Sequence, residues 1–209
     1  MLSTWLNVLT HPKKATFDNQ LSMDYATQKT AISWLSRGIL LAAIINGISA
    51  FIYESIFQSY VGSRQAMAIL LFQSLKENSA FLDFVGSPIW GGIISFIGFL
   101  IGASIILALG NFIILWLAKI LGGKGSFEKQ IFATALFIPG LLIVASIFGV
   151  IRQIGVCFAF PVLWVYALIL SILAAKSIHG LSTTKSAIAV IIPFFVFTFA
   201  VLLLFPPHL

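Results

Sequence analysis

Five apolar runs, each long enough to cross a bilayer, constrain this chain more than any other feature. A hydrocarbon core of ~30 Å needs about 20 helical residues, and runs of that order fall at about residues 34–57, 89–118, 127–151, 154–175 and 186–205. Lipid offers no partner for backbone N–H and C=O groups, so spanning segments of this kind close their own hydrogen bonds as helices. The sequence therefore predicts an all-α, polytopic membrane helix bundle of five transmembrane helices. Composition points the same way. The chain is 60% hydrophobic and 9% charged, whereas soluble domains carry about 25% charged residues. Twelve Lys and Arg and six Asp and Glu cannot solvate the surface of a 209-residue globular protein.

The second run is the longest and holds no charge. Its thirty residues would reach ~45 Å at the helical rise, so it must tilt or project beyond the bilayer. The third and fourth runs are separated only by Arg152-Gln153, which reads either as a tight helical hairpin or as a break in one element. Together the two runs are too long for one crossing, and Gly149 and Gly155 flank the break; the hairpin is the reading adopted.

Lys and Arg concentrate in cytoplasmic loops. Alternate segments hold Lys13, Lys14, Lys29 and Arg37, then Lys119, Lys124 and Lys129, then Lys176 and Lys185, against Arg64, Lys76 and Arg152 on the opposite side. This asymmetry predicts a cytoplasmic N-terminus and an extracytoplasmic C-terminus. It also accounts for the net charge of +6 without nucleic-acid binding, for which no basic stripe with interleaved aromatics exists outside the spans.

Residues 1–33 read as a cytoplasmic N-terminal segment and 34–209 as the five-span membrane domain. Leu2, Trp5, Leu6 and Leu9 share one helical face ahead of His11-Pro12, which predicts a short interfacial helix with Trp5 at headgroup depth. Residues 65–85 are too short and too charged to span and read as an interfacial or re-entrant helix on the far side. No cleavable signal is expected, because Asp18, Asp24 and many polar residues precede the first apolar run. The single cysteine, Cys157, excludes an intrachain disulfide.

Ionisable groups inside a membrane are costly and usually mark function. Few are present. Glu54 lies near a helix end, where it can reach water, and His11, His179 and His208 have no ligand-spaced partners. No catalytic set, cofactor motif or metal site follows from the sequence. Gly122-Gly123-Lys124-Gly125-Ser126 superficially resembles a phosphate-binding loop, but the leading glycine position is Ala118 and no strand precedes it.

That loop has a different logic. Ser126 can cap the third span, with Glu128 near its positive end, and Ser182 can cap the helix bearing Lys185. Lys124, Ser126, Lys129, Lys176, Ser182 and Lys185 are therefore lipid-headgroup candidates, with ordinary capping as the simpler alternative. Gly91, Ser95, Gly98 and Gly102 form a small-residue stripe for helix packing, inside one subunit or between copies. Asn46 and Asn111 need hydrogen-bond partners inside spans. Pro139, followed by Gly140, and Pro193 can kink the third and fifth spans, a feature also found in transporter pathways.

One ordered set of features remains: Trp5…His11-Pro12, Gly122-Gly123-x-Gly125-Ser126-Phe127 after the second span, Pro139 in the third, Trp164 in the fourth, then His179-Gly180-Leu181-Ser182-x-x-Lys185-x-Ala187 and Pro193. In a five-span frame this order resembles the Yip1 family over nearly the whole chain. The resemblance implies a cytoplasmic N-terminus and five helices. Eukaryotic members act in vesicle traffic and associate with prenylated Rab GTPases and with each other. This sequence has no long N-terminal region before its first span, and residues 83–88 only loosely match the acidic-Gly-Pro signature of those members. It looks more like the compact prokaryotic type. The expectation is a non-enzymatic protein of a prokaryotic plasma (inner) membrane, acting through membrane lipids or partner helices and able to form a homo-oligomer. The alternative is a small transporter or lipid-translocating protein.

Overall fold

The computed structural model describes residues 1–57, 84, 86–149 and 158–204. The Arg152-Gln153 hairpin, Cys157, His208 and all of residues 65–85 except Phe84 lie outside the described residues.

Helices α1 (Leu2–Thr10) and α2 (Lys14–Leu21) precede α3 (Gln28–Phe57), α4 (Pro88–Ile120), α5 (Phe127–Ala135), α6 (Ile138–Gly149), α7 (Phe160–His179) and α8 (Thr183–Leu204). No strand occurs among the described residues. Four stretches are long and apolar enough to cross a membrane: α3, α4, α5 with α6, and α7. The described apolar part of α8, Thr183–Phe195, is shorter. The first spanning helix begins at Gln28, earlier than hydropathy places it, because Thr27 Oγ1 caps the N–H of Thr30 and Glu128 of α5 accepts from the N–H of Gln28 at 3.1 Å. The capping groups extend the helix past its apolar section.

The third span is not the single helix expected over 127–151. It breaks at Leu136-Phe137, where short turns close from Leu136 N to Ala133 O and from Phe137 N to Thr134 O. Pro139 supplies the cause: it has no N–H for Ala135 O, and its ring crowds the preceding turn. The break lets α3 come close. A Cβ on Gly38 would overlap the Pro139 ring.

The broken span lies at the centre, with 56% of its most apolar window buried, against 6% for α4. It is flanked by α3 and α7; α4 packs on α3 and α8, and α8 closes back on α7. The crossing of α3 and α4 is a glycine contact, since a Cβ on Gly92 would stand 2.9 Å from Gly47 O. The small-residue stripe behaves differently along its length. Gly91 is buried, Ser95 is half-buried, and nothing lies within 4 Å of a Cβ built on Gly98 or Gly102. Within this subunit, Gly98 and Gly102 thus pack against no neighbour among the described residues.

The N-terminal helices are parts of the bundle. Trp5 is 2% exposed, and its indole Nε1 donates to Ala135 O at 2.9 Å. Tyr166 OH donates to Leu9 O at the other end of α1, and Leu9 fills the space that Gly140 leaves. The indole is turned into protein, not onto the headgroup layer proposed from sequence. Tyr166 lies ~20 Å along α7 from its C-terminal end, so α1 docks beside the spans and not beyond their ends.

Helix α2 was not foreseen. It seats Phe17, fully buried, edge-on against Phe137 with ring centroids 6.1 Å apart. Where such a ring moves out of water, its burial contributes about 1.5–3 kcal/mol. Contacts between spans gain less from burial, since lipid is as apolar as they are.

Candidate functional site

One group of polar side chains gathers between the spans. Asn111 of α4 faces Gln130 and Thr134 of α5, which stand one helical turn apart. Thr134 Oγ1 donates to Asn111 Oδ1 at 2.6 Å, and Gln130 Nε2 donates to the same oxygen at 3.3 Å. Asn111 Nδ2 donates to Leu107 O at 2.8 Å. All three side chains are at least nine-tenths buried.

His179, at the end of α7, extends the network. Its Nδ1 accepts from the N–H of Gly125 at 3.2 Å, so the ring proton sits on Nε2 and is donated to Gln130 Oε1 at 3.1 Å. The glycine-rich loop is shaped by this ring. A Cβ on Gly123 would stand 2.8 Å from His179 Cβ, and one on Gly125 would stand 2.6 Å from Nδ1. Lys124 N donates to His179 O at 3.2 Å, and Gly122 takes φ +92°, in the left-handed region that favours glycine. The loop wraps a histidine rather than a phosphate.

Beside the network lies a cavity of about 360 Å³ between α4, α5, α7 and α8. Asn111, Gln130, Thr134 and Ser171 supply its polar lining; elsewhere the wall is apolar, with Leu107, Ile114, Phe137, Trp164 and Val190 among its residues. No lining residue carries a formal charge. Gln130 lies in the first turn of α5, near the loop bearing Lys124, whereas Trp164 lies ~22 Å along α7 from its C-terminal end. The cavity therefore runs from a polar end near the basic loops to an apolar end at mid-span. Ile106 and Trp164, which line it, are 48% and 38% exposed, and the cavity is open rather than enclosed. Pro193, buried inside α8, forms part of the wall.

The residues singled out for lipid headgroups make protein contacts. Ser126 Oγ accepts from Lys129 N and Ser182 Oγ accepts from Lys185 N, both at 3.4 Å. Lys185 Nζ donates to Leu121 O at 3.1 Å, closing the C-terminal end of α4, and Lys176 Nζ donates to Thr183 Oγ1 at 2.8 Å. Lys124 and Lys129 are exposed. These six residues surround the two loops and do not line the cavity. Asn46 pairs with Ser146 of α6 at 2.6 Å, a link between helices worth roughly 0.6–2 kcal/mol in a bilayer.

Sequence reasoning noticed Asn111 but missed Gln130, Thr134 and the role of His179. The signal was present: Gln130 and Thr134 are two polar residues at i and i+4, which places them on one face. Among the described residues, no three His, Cys, Asp or Glu side chains gather where a metal could sit.

Comparison with known families adds one finding: a model described as the Yip1 domain matches residues 6–205. No curated protein and no solved structure matches the chain.

Proposed function

This chain belongs to the Yip1 family, and from that premise we propose that it is a non-enzymatic membrane protein that works by holding membrane lipid in the cavity between α4, α5, α7 and α8. One observation supports this most: an open pocket whose size lies within the ~300–1,000 Å³ of ligand sites and whose polar groups are confined to one end. The chemistry is that of binding. His179 has both ring nitrogens engaged, and the hydroxyls of Thr134 and Ser171 donate to neighbouring acceptors. An activated nucleophile needs a base free to take its proton.

The same reading includes five spans, with α8 as the fifth, a cytoplasmic N-terminus, an extracytoplasmic C-terminus and residence in a prokaryotic plasma membrane. The charge asymmetry of the loops supports the orientation. Self-association belongs to it too, with the uncovered Gly98 and Gly102 of α4 facing a second copy, and the exposed Lys124 and Lys129 lie where anionic headgroups would be met. The apolar wall at mid-span favours a held lipid over a polar solute in transit, which needs partners along its whole path.

Gly110 provides the test. It lines the cavity, and a Cβ built there has nothing within 4 Å, so the side chain of Gly110→Leu starts in open space beside the cavity. Protein purified in mild detergent is expected to retain lipid through extensive washing, and Gly110→Leu to retain at least one molecule fewer per chain by mass analysis. Equal lipid content in a folded variant would remove the cavity from the account.

A further inference from the structure

The hydrogen-bond inventory at the polar end of the cavity specifies the occupant further. Asn111 and Gln130 each carry two amide N–H donors. Asn111 gives one to Leu107 O, and Gln130 gives one to Asn111 Oδ1. The second N–H of each has no acceptor among the described residues, although both side chains are 5% exposed or less and line the cavity. Asn111 Oδ1 already takes two donors and Gln130 Oε1 takes His179 Nε2; the remaining lone pairs, on Gln130 Oε1 and on the Thr134 and Ser171 hydroxyls, can take a hydroxyl proton. The two spare N–H groups call for an acceptor oxygen, since buried donors left unmade cost about 1–3 kcal/mol each.

Charge selects in the same direction. No lining residue is charged, so an ionised headgroup at Asn111 would be buried without a counter-charge, at a cost of several kcal/mol. An alcohol or ester oxygen has no such penalty and accepts from both amides. The rest of the cavity, apolar and open beside Ile106 and Trp164, suits one hydrocarbon chain.

We infer that the cavity selects an uncharged amphiphile, a glyceride-like or fatty-alcohol-like lipid, with one hydrocarbon chain along the apolar wall and its alcohol or ester oxygen on the amides of Asn111 and Gln130. This rests on the lipid-holding reading above and narrows it to a class.

The test uses the full chain in phosphatidylcholine nanodiscs with three photoactivatable probes of equal chain length: a monoacylglycerol, a fatty acid ionised at pH 8, and a lysophosphatidylglycerol. The monoacylglycerol is expected to cross-link to peptides containing Leu107 and Ile114 at least tenfold more than either anionic probe. Asn111→Leu should reduce that labelling at least tenfold. Gly110→Leu should do the same while leaving the polar network intact, and it decides the matter if Asn111→Leu does not fold. Cavity labelling by an anionic probe equal to that by the monoacylglycerol would overturn the inference and leave the lipid-holding reading standing. Labelling of the cavity by none of the probes would overturn both.

Discussion

Trp5 Nε1 donates to the carbonyl of Ala135, the acceptor that Pro139, having no N–H, cannot serve. A proline inside a span strands the carbonyl four residues earlier, and in lipid that group needs another donor. Here the donor comes from 130 residues away in sequence, on α1. Two features that looked separate, an N-terminal tryptophan and a mid-span proline, are halves of one interaction.

Trp5→Phe keeps the aromatic bulk and removes the donor, so it should destabilise the bundle by about 1–3 kcal/mol, the cost of an orphaned buried carbonyl. In Pro139→Ala the backbone N–H returns, and the same Trp5→Phe change should cost less. A double-mutant cycle by denaturant unfolding in detergent should give a coupling of roughly 1 kcal/mol or more. Additive effects would mean that the tryptophan acts through its bulk alone.

Two glycine substitutions should behave oppositely. Gly125→Ala places a Cβ 2.6 Å from His179 Nδ1 and 2.5 Å from Ile178 Cγ2, and overpacking of this kind costs about 1–3 kcal/mol. At Gly98→Leu and Gly102→Leu the new Cβ has no neighbour within 4 Å among the described residues, so unfolding of the monomer should change little. If α4 joins two copies, the double variant should run as a smaller particle in mild detergent; an unchanged particle would remove the stripe as a subunit seam.

The docking of α2 on α7 should weaken in acid. Burial acts to raise the pKa of Asp18, but the hydrogen bonds from Lys14 and Ser177 and the charge of Lys14 outweigh it, so the carboxyl sits below its usual value of 3.8. A lowered folded-state pKa adds stability above the unfolded value and loses it as pH falls through the folded one. The pair is 45% and 44% exposed, so the contribution is that of a surface pair, about 0.2–1 kcal/mol. The protection factors of residues 14–21, taken against intrinsic exchange at each pH, should fall below about pH 4 in the wild-type chain. Asp18→Asn should show the lower protection already at pH 7 and little change in protection on acidification.

The proposed orientation predicts accessibility. With Cys157 replaced by serine, a cysteine at Lys124 should react with an impermeant maleimide only after the cells are opened, and one at Lys76 should react in intact cells. The reverse pattern would invert the topology, and labelling of both in intact cells would change the number of spans.

Periodicity and hydropathy made much of this fold legible. Helix type, the caps at Ser126 and Ser182, and the disturbance at Pro139 all follow from local rules. Local rules show which residues share a face but not which face meets a neighbour. Gly98 and Gly102 therefore looked like the packing seam of the second span, whereas the contact with α3 uses Gly92 against Gly47. For the same reason Trp5 was placed among headgroups: an amphipathic helix is equally compatible with a lipid surface and a groove between spans. Gln130 and Thr134 could be recognised as a polar pair, but their convergence with Asn111 and His179 depends on the closing of the bundle. The cavity, a space between four helices, has no sequence signature.

The most direct measurement is a high-resolution structure of the chain in a lipid nanodisc, with the space between α4, α5, α7 and α8 inspected for density. One elongated density is expected beside Leu107, Gly110 and Trp164, ending within hydrogen-bond distance of the Asn111 and Gln130 amides. A cavity closed by its own side chains, or filled only by water, would contradict it.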